Sequence, residues 1–269
     1  TTESLEKSVG KKIDIVKKGR SDISVRTGGG KDKVKPKDMR SFFGIDTVIV
    51  VDDRRDDKKG GGEAIEKRKN NKKRLKQNSE WIVNKGNFSE YLEMTKKAIS
   101  DSAETVFSKG EVDKGYSNLF LNFVHSAAWQ ESCLRQFQLK NGSMEYIRSY
   151  NGTSVGLMQI NEKVWKDIYD IDRLRNDPLY NIRAGCEIAY LYLHRYALSK
   201  MKKRGIKMSD TNLARTLYAM YNGGPGQFGK FQKRLKSGEF YQSDKLYYQK
   251  YKWVTENNWK KLTVCLFGK

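Results

Sequence analysis

Histidine, cysteine and proline are scarce in this chain of 269 residues, with two, three and three of each. His125 and His194 stand far apart on helical segments and read as structural. No CxxC pair or Cys/His cluster occurs, which excludes a structural zinc site. No apolar run approaches the ~20 residues that a membrane-spanning helix needs. The chain opens on Thr-Thr with no apolar leader, which fits a mature protein whose export signal has been removed. Cys133, Cys186 and Cys265 allow at most one internal disulfide. Cys133 and Cys186 lie in segments that could pack together and bridge; the other reading is three buried thiols acting as small hydrophobes.

What the chain does have is positive charge. A net +21 favours polyanionic partners, whether nucleic acid, anionic lipid or an acidic cell-wall polymer, without choosing among them. Hydrophobic residues make up 37%, low for a wholly globular chain, while 12% aromatics are ample for a core. The expectation is a real core diluted by a polar segment. Residues 1–80 are that segment: charged, Gly-containing and weakly periodic, with one β-branched run at 45–53 that could pair with 22–25 as a short hairpin. The basic run at 67–76 reads as a solvated face or tail.

From residue 81 the texture becomes helical. Tyr91, Leu92, Met94, Ala98, Ile99 and Val106 recur near a helical period over 88–107. A stronger helix with a broad apolar face spans 116–137, followed by a polar loop at 138–154. Helices are expected again at 160–171, 180–201 and 210–221, the last capped by Ser209 or Asp210, then at 227–236 and 241–257. The aromatic-rich stretch 190–196 reads as core.

Four motifs then fall in order: Glu131-Ser132 ending an apolar helix, "SVGLMQIN" at 154–161, "NDPLYNIRAG" at 176–185 and "AMYNGGPG" at 219–226. Together they resemble the lytic transglycosylase and goose-type lysozyme family over roughly 115–235. The resemblance implies a mainly α fold: a lysozyme-like catalytic domain at 81–269 behind a partly irregular N-terminal segment, 1–80. It implies cleavage of the β-1,4 bond between N-acetylmuramic acid and N-acetylglucosamine in peptidoglycan. Glu131 is then the catalytic acid and base. Ser132, Gly156, Met158, Gln159, Asn161, Tyr221 and Asn222 are the substrate-site residues, with the Tyr221 hydroxyl near the acid. The protein would be exported to the periplasm, envelope or exterior and act as a monomer on glycan strands, with no metal or organic cofactor. Two departures stand out. Asn161-Glu162 replace the Met-Pro of many relatives, and Cys-Leu-Arg-Gln follows Glu-Ser where Asn-Pro is usual.

The chemistry also stands without the resemblance. A glycosidic bond needs an acid still protonated near neutral pH, and a Glu at an apolar helix end has its pKa raised by desolvation. Phe137, Tyr150, Tyr221 and the 156–159 segment could supply those surroundings. Ordinary glycosidases pair two carboxylates. Between Glu131 and Gly156 the only other acid is Glu145. If the long loop carries Glu145 to the cleft, water activation and hydrolysis follow; otherwise Glu145 is a plain loop carboxylate and Glu131 works alone. The competing readings are a wall-binding protein that does not cut, and a nucleic-acid binder. The second rests on basic residues interleaved with aromatics at 230–254, but no named nucleic-acid motif accompanies them.

Overall fold

The computed structural model describes residues 78–268, which are mainly helical. The strand expected at 45–53, its pairing with 22–25 and the basic run at 67–76 lie outside the described residues. Helix α1 (Phe88–Ser108) buries Tyr91, Leu92, Ile99, Ala103, Val106 and Phe107 along one stripe. Helix α2 (Ser117–Ser132) differs in kind: every residue from Phe123 to Trp129 is buried. A helix apolar all round must be enclosed. Four helices enclose this one: α1, α5 (Pro178–Leu191), α7 (Asp210–Gly223) and α9 (Gln242–Thr255). On the α9 side Trp129 stacks on Trp259, with centroids 5.4 Å apart, and tilts against Trp253.

The expected helix over 116–137 stops at Ser132. Cys133 and Leu134 are both left-handed, at φ 55° and 62°, a conformation that ends a helix and strains residues with a Cβ. Two ties hold the turn. Tyr91 donates its hydroxyl to the Leu134 carbonyl at 2.7 Å, and a disulfide joins Cys133 to Cys265. The bridge considered between Cys133 and Cys186 is therefore corrected. Cys186 is a free thiol fully buried in α5, whereas α10 (Leu262–Phe267) returns to the end of α2 and brings Cys265 within 6.0 Å, Cα to Cα. The bridge closes a loop with a sequence separation of 132. Cys265→Ser should cost about 2–4 kcal/mol of unfolding free energy. That would be seen as a lower urea midpoint, and an unchanged midpoint would mean the bridge constrains nothing.

The polar loop expected at 138–154 contains a hairpin instead. Strand β1 (Phe137–Lys140) pairs antiparallel with β2 (Ser143–Tyr146) through Asn141-Gly142, both at positive φ as a tight two-residue turn requires. A second small hairpin, β3 (Ser154–Val155) with β4 (Ile160–Asn161), carries the 156–159 turn. The helix expected over 160–171 is reduced to α3 (Glu162–Trp165), capped by Asn161, and α4 (Ile171–Asn176) follows. Helix α5 starts on the Asp177 cap with Pro178 in its first turn, then passes through a π-helical segment, Tyr192–Leu198, into α6 (Ser199–Arg204). Ser209 caps α7, and α8 (Gln227–Ser237) precedes α9.

Candidate active site

Glu131 sits in the last turn of α2, so the enclosure of that helix carries the carboxyl inward. Protein surrounds it on nearly all sides, yet part of the residue still reaches solvent. Burial pushes its pKa up from 4.5 to about 7, partly offset by a hydrogen bond from Tyr218. The Tyr218 hydroxyl donates to Glu131 Oε1 at 3.0 Å. Its ring lies flat on Tyr247 of α9, with centroids 4.2 Å apart and planes 1° from parallel, so the hydroxyl has little freedom to swing.

The segment 156–159 is fixed against this helix end by buried amides. Ser132 donates to the Leu157 carbonyl at 2.7 Å, and Tyr221 donates to the Met158 carbonyl at 2.8 Å. Gln136 accepts from Leu157 N–H at 2.8 Å while donating to the Leu174 and Arg175 carbonyls. Asn181 accepts from Met158 N–H at 2.8 Å while donating to the Val155 and Leu174 carbonyls. Two fully buried amides thus spend both ends of their side chains on the turn and on the end of α4.

The structure brings Glu131, Ser132, Met158 and Tyr221 together but redistributes their tasks. Tyr221 was expected to hold its hydroxyl near the acid; burial and then the Glu131 charge push that hydroxyl's pKa up, but it donates to the Met158 carbonyl, and Tyr218, one turn earlier on α7, makes the bond to Glu131. Met158 was expected at the glycan. Its side chain is fully buried in a recess left by Gly185, where an added Cβ would lie 2.5 Å from Met158 Cγ. The side chain is used in packing against α5. Gly156, also buried, provides the turn (φ 78°). The Ser132 hydroxyl is engaged within the protein, and the Asn161 Oδ1 caps α3. Gln159 is half-buried with its amide on the Gly156 carbonyl at 2.7 Å, and Asn222 is exposed at the end of α7.

Glu145 lies exposed on β2, opposite Gln138, on the other side of the strand from buried Met144. Tyr150 is fully exposed and gives Glu131 no apolar cover, whereas Phe137 is buried at the start of β1. Glu162, at the position where the sequence departs from the family pattern, is bound by Arg175 through both carboxylate oxygens and lies 3.5 Å from Arg148. Both guanidiniums lie over the Tyr146 ring, which ties the first hairpin to α3 and α4.

Sequence reasoning missed Tyr218, Gln136, Asn181 and Gly185. Asn181 and Gly185 sit inside a quoted motif, and Tyr218 is a helical turn from Tyr221; nothing in the sequence marks Gln136. Among the described residues no group of three or more His, Cys, Asp or Glu is arranged to hold a metal, and no helix is long and apolar enough to cross a membrane. Chemically, the arrangement offers one carboxyl that burial keeps protonated well above the usual carboxylate range, able to give and retake a proton. No protein-family model, curated protein or solved structure matches the chain.

Proposed function

We propose that the chain cleaves peptidoglycan between N-acetylmuramic acid and N-acetylglucosamine as a lytic transglycosylase with a lysozyme-like catalytic domain, using Glu131 as its single acid–base group. One observation carries this reading: a carboxyl enclosed by protein on nearly all sides at the end of an enclosed apolar helix, with its pKa pushed up to about 7 and a fixed hydrogen-bond partner. Protonated Glu131 gives its proton to the bridging oxygen as the C1–O4 bond breaks. The substrate's own acetamido oxygen closes on C1. The Glu131 carboxylate then takes the proton of the 6-hydroxyl, whose oxygen attacks C1, reopens the acetamido ring and forms a 1,6-anhydro end. Glu131 finishes protonated, ready for the next bond.

Exposed Glu145 favours this route over hydrolysis by a goose-type lysozyme, since no second carboxyl is held beside Glu131 by a described contact. The disulfide fits an oxidising compartment, hence an exported protein. Mass spectrometry of products from purified peptidoglycan tests the reaction. Ends lighter by one water support the transglycosylase; reducing ends replace it with a lysozyme; no products overturn both.

The pH profile gives a separate check. The first step needs protonated Glu131, so the rate should fall as pH rises through about 7. Tyr218 favours the ionised form, so Tyr218→Phe should move that limb upward by about one pH unit and slow turnover about tenfold. An unmoved limb would mean that this bond does not tune the acid.

A further inference from the structure

The outer faces of α8 and α9 carry lysines for which the catalytic reading has no use. Between residues 227 and 261 stand nine Lys/Arg and three Asp/Glu. One opposite pair is internal: Arg234 and Asp244 are both buried and meet at 2.8 Å. Lys230, Lys233 and Lys236 recur every third residue along α8, and Lys245 and Lys252 lie two turns apart on α9. All five are exposed, and none has a carboxylate partner among the described residues. Helical geometry turns the α9 pair away from the site. At 3.6 residues per turn, Lys245 and Lys252 lie roughly 140–160° round the helix from Tyr247, the ring that supports Tyr218. Lys230 and Lys233 border a hollow of about 440 Å³, Lys245 and Lys252 one of about 350 Å³.

Most of the nearby rings are packed against cations on one face. Arg234 lies 4.2 Å over Tyr241, Arg215 lies 4.2 Å over Phe240 and 4.5 Å over Tyr248, and Lys252 also covers Tyr248. A single-stranded nucleic acid needs free ring faces on which its bases stack. Here Tyr241 is the one well-exposed ring, with Arg234 over one face, and a single ring among rows of ammonium groups gives no run of stacking platforms. We infer that α8 and α9 form a docking surface for a linear polyol-phosphate polymer, a chain of phosphodiesters without bases. Such a chain could lie along the back of α9 and leave Glu131 accessible. This binding does not depend on the role given to Glu131.

The test titrates the full chain with poly(glycerol phosphate) by calorimetry at low and moderate salt, beside a variant with Lys→Gln at 230, 233, 236, 245 and 252. The variant should bind at least about tenfold more weakly, and the slope of log K against log salt should shrink by about 2–4, since each released counterion contributes just under one. Lys233→Gln and Lys245→Gln alone should each give a two- to threefold loss, which keeps the test open if the fivefold variant folds poorly. Equal affinity of wild type and variants overturns the proposal. So does tighter binding, per phosphate, of duplex DNA or of anionic phosphatidylglycerol vesicles, either of which would reassign the surface to that partner.

Discussion

Replacing Glu131 by Gln should abolish the proposed glycan cleavage, by at least about 10³-fold in kcat/KM, while making the folded protein more stable at neutral and alkaline pH. The rate effect follows because an amide neither donates a proton to the leaving oxygen nor removes one from the 6-hydroxyl, and the proposed mechanism gives both steps to one group. The stability effect follows from the same burial. Glu131 ionises near 7 in the folded chain and near 4.5 when unfolded. Below 4.5 both states hold the proton and the residue costs nothing. Between 4.5 and 7 the unfolded chain sheds it first, so folding must increasingly keep a proton or bury a charge. Above 7 the penalty is complete, on the order of 3 kcal/mol at most. The Gln variant therefore melts higher than wild type at pH 8 and nearly level with it at pH 4. Loss of activity with an equal melting shift at both pH values would mean that the carboxyl is not destabilised by ionisation. Retained activity would remove Glu131 from the mechanism.

Gly156→Ala should be the most damaging single change outside the acid, at about 4 kcal/mol of stability or failure to fold. Two costs combine. The residue has φ 78°, which carries a penalty of about 1–2 kcal/mol for any side chain. The added Cβ would also lie 2.2 Å from Asn181 Nδ2 and 2.6 Å from Gln136 Oε1. Neither amide can retreat without breaking the buried bonds that hold the turn. Denaturant unfolding with far-ultraviolet dichroism gives the measurement; a loss under 1 kcal/mol would show that the two amides yield easily. Gly142→Ala is the matched control, since Gly142 also has positive φ but a Cβ there meets nothing within 4 Å. Only the φ penalty should remain.

The helices were legible in the sequence wherever an apolar stripe alternated with charge. The stripe over 88–107 became α1, and the spans at 210–221, 227–236 and 241–257 became α7, α8 and α9 within a few residues. Periodicity fails where nothing is polar. The apolar pattern around α2 runs on past Ser132, but the chain turns left-handed at Cys133 and Leu134, residues that carry no mark of such a turn. Asn141-Gly142 was a strong hairpin signal set between short, mixed strands, and the polarity of those strands disguised it as a loop. At the site, Glu131 was visible because a carboxylate is out of place on an apolar helix. The division of labour between Tyr218 and Tyr221 was not, because both lie on one face of α7 and only the path of 156–159 decides which hydroxyl is consumed by backbone. The disulfide was misread for a similar reason: sequence shows which cysteines are apolar neighbours, not which helix returns across the end of α2.

The pairing of Cys133 with Cys265 also sets an order of events. Cys265 leaves the ribosome 132 residues after Cys133, so the end of the acid-bearing helix lacks its covalent tie while everything between is being made. The bond then waits for an oxidant that a reducing cytoplasm withholds. A chain that cuts walls would thus acquire its final clamp two residues from Glu131 only after leaving the compartment where it was synthesised. If the protein is exported as proposed, the site reaches its fully clamped form only outside the cytoplasm.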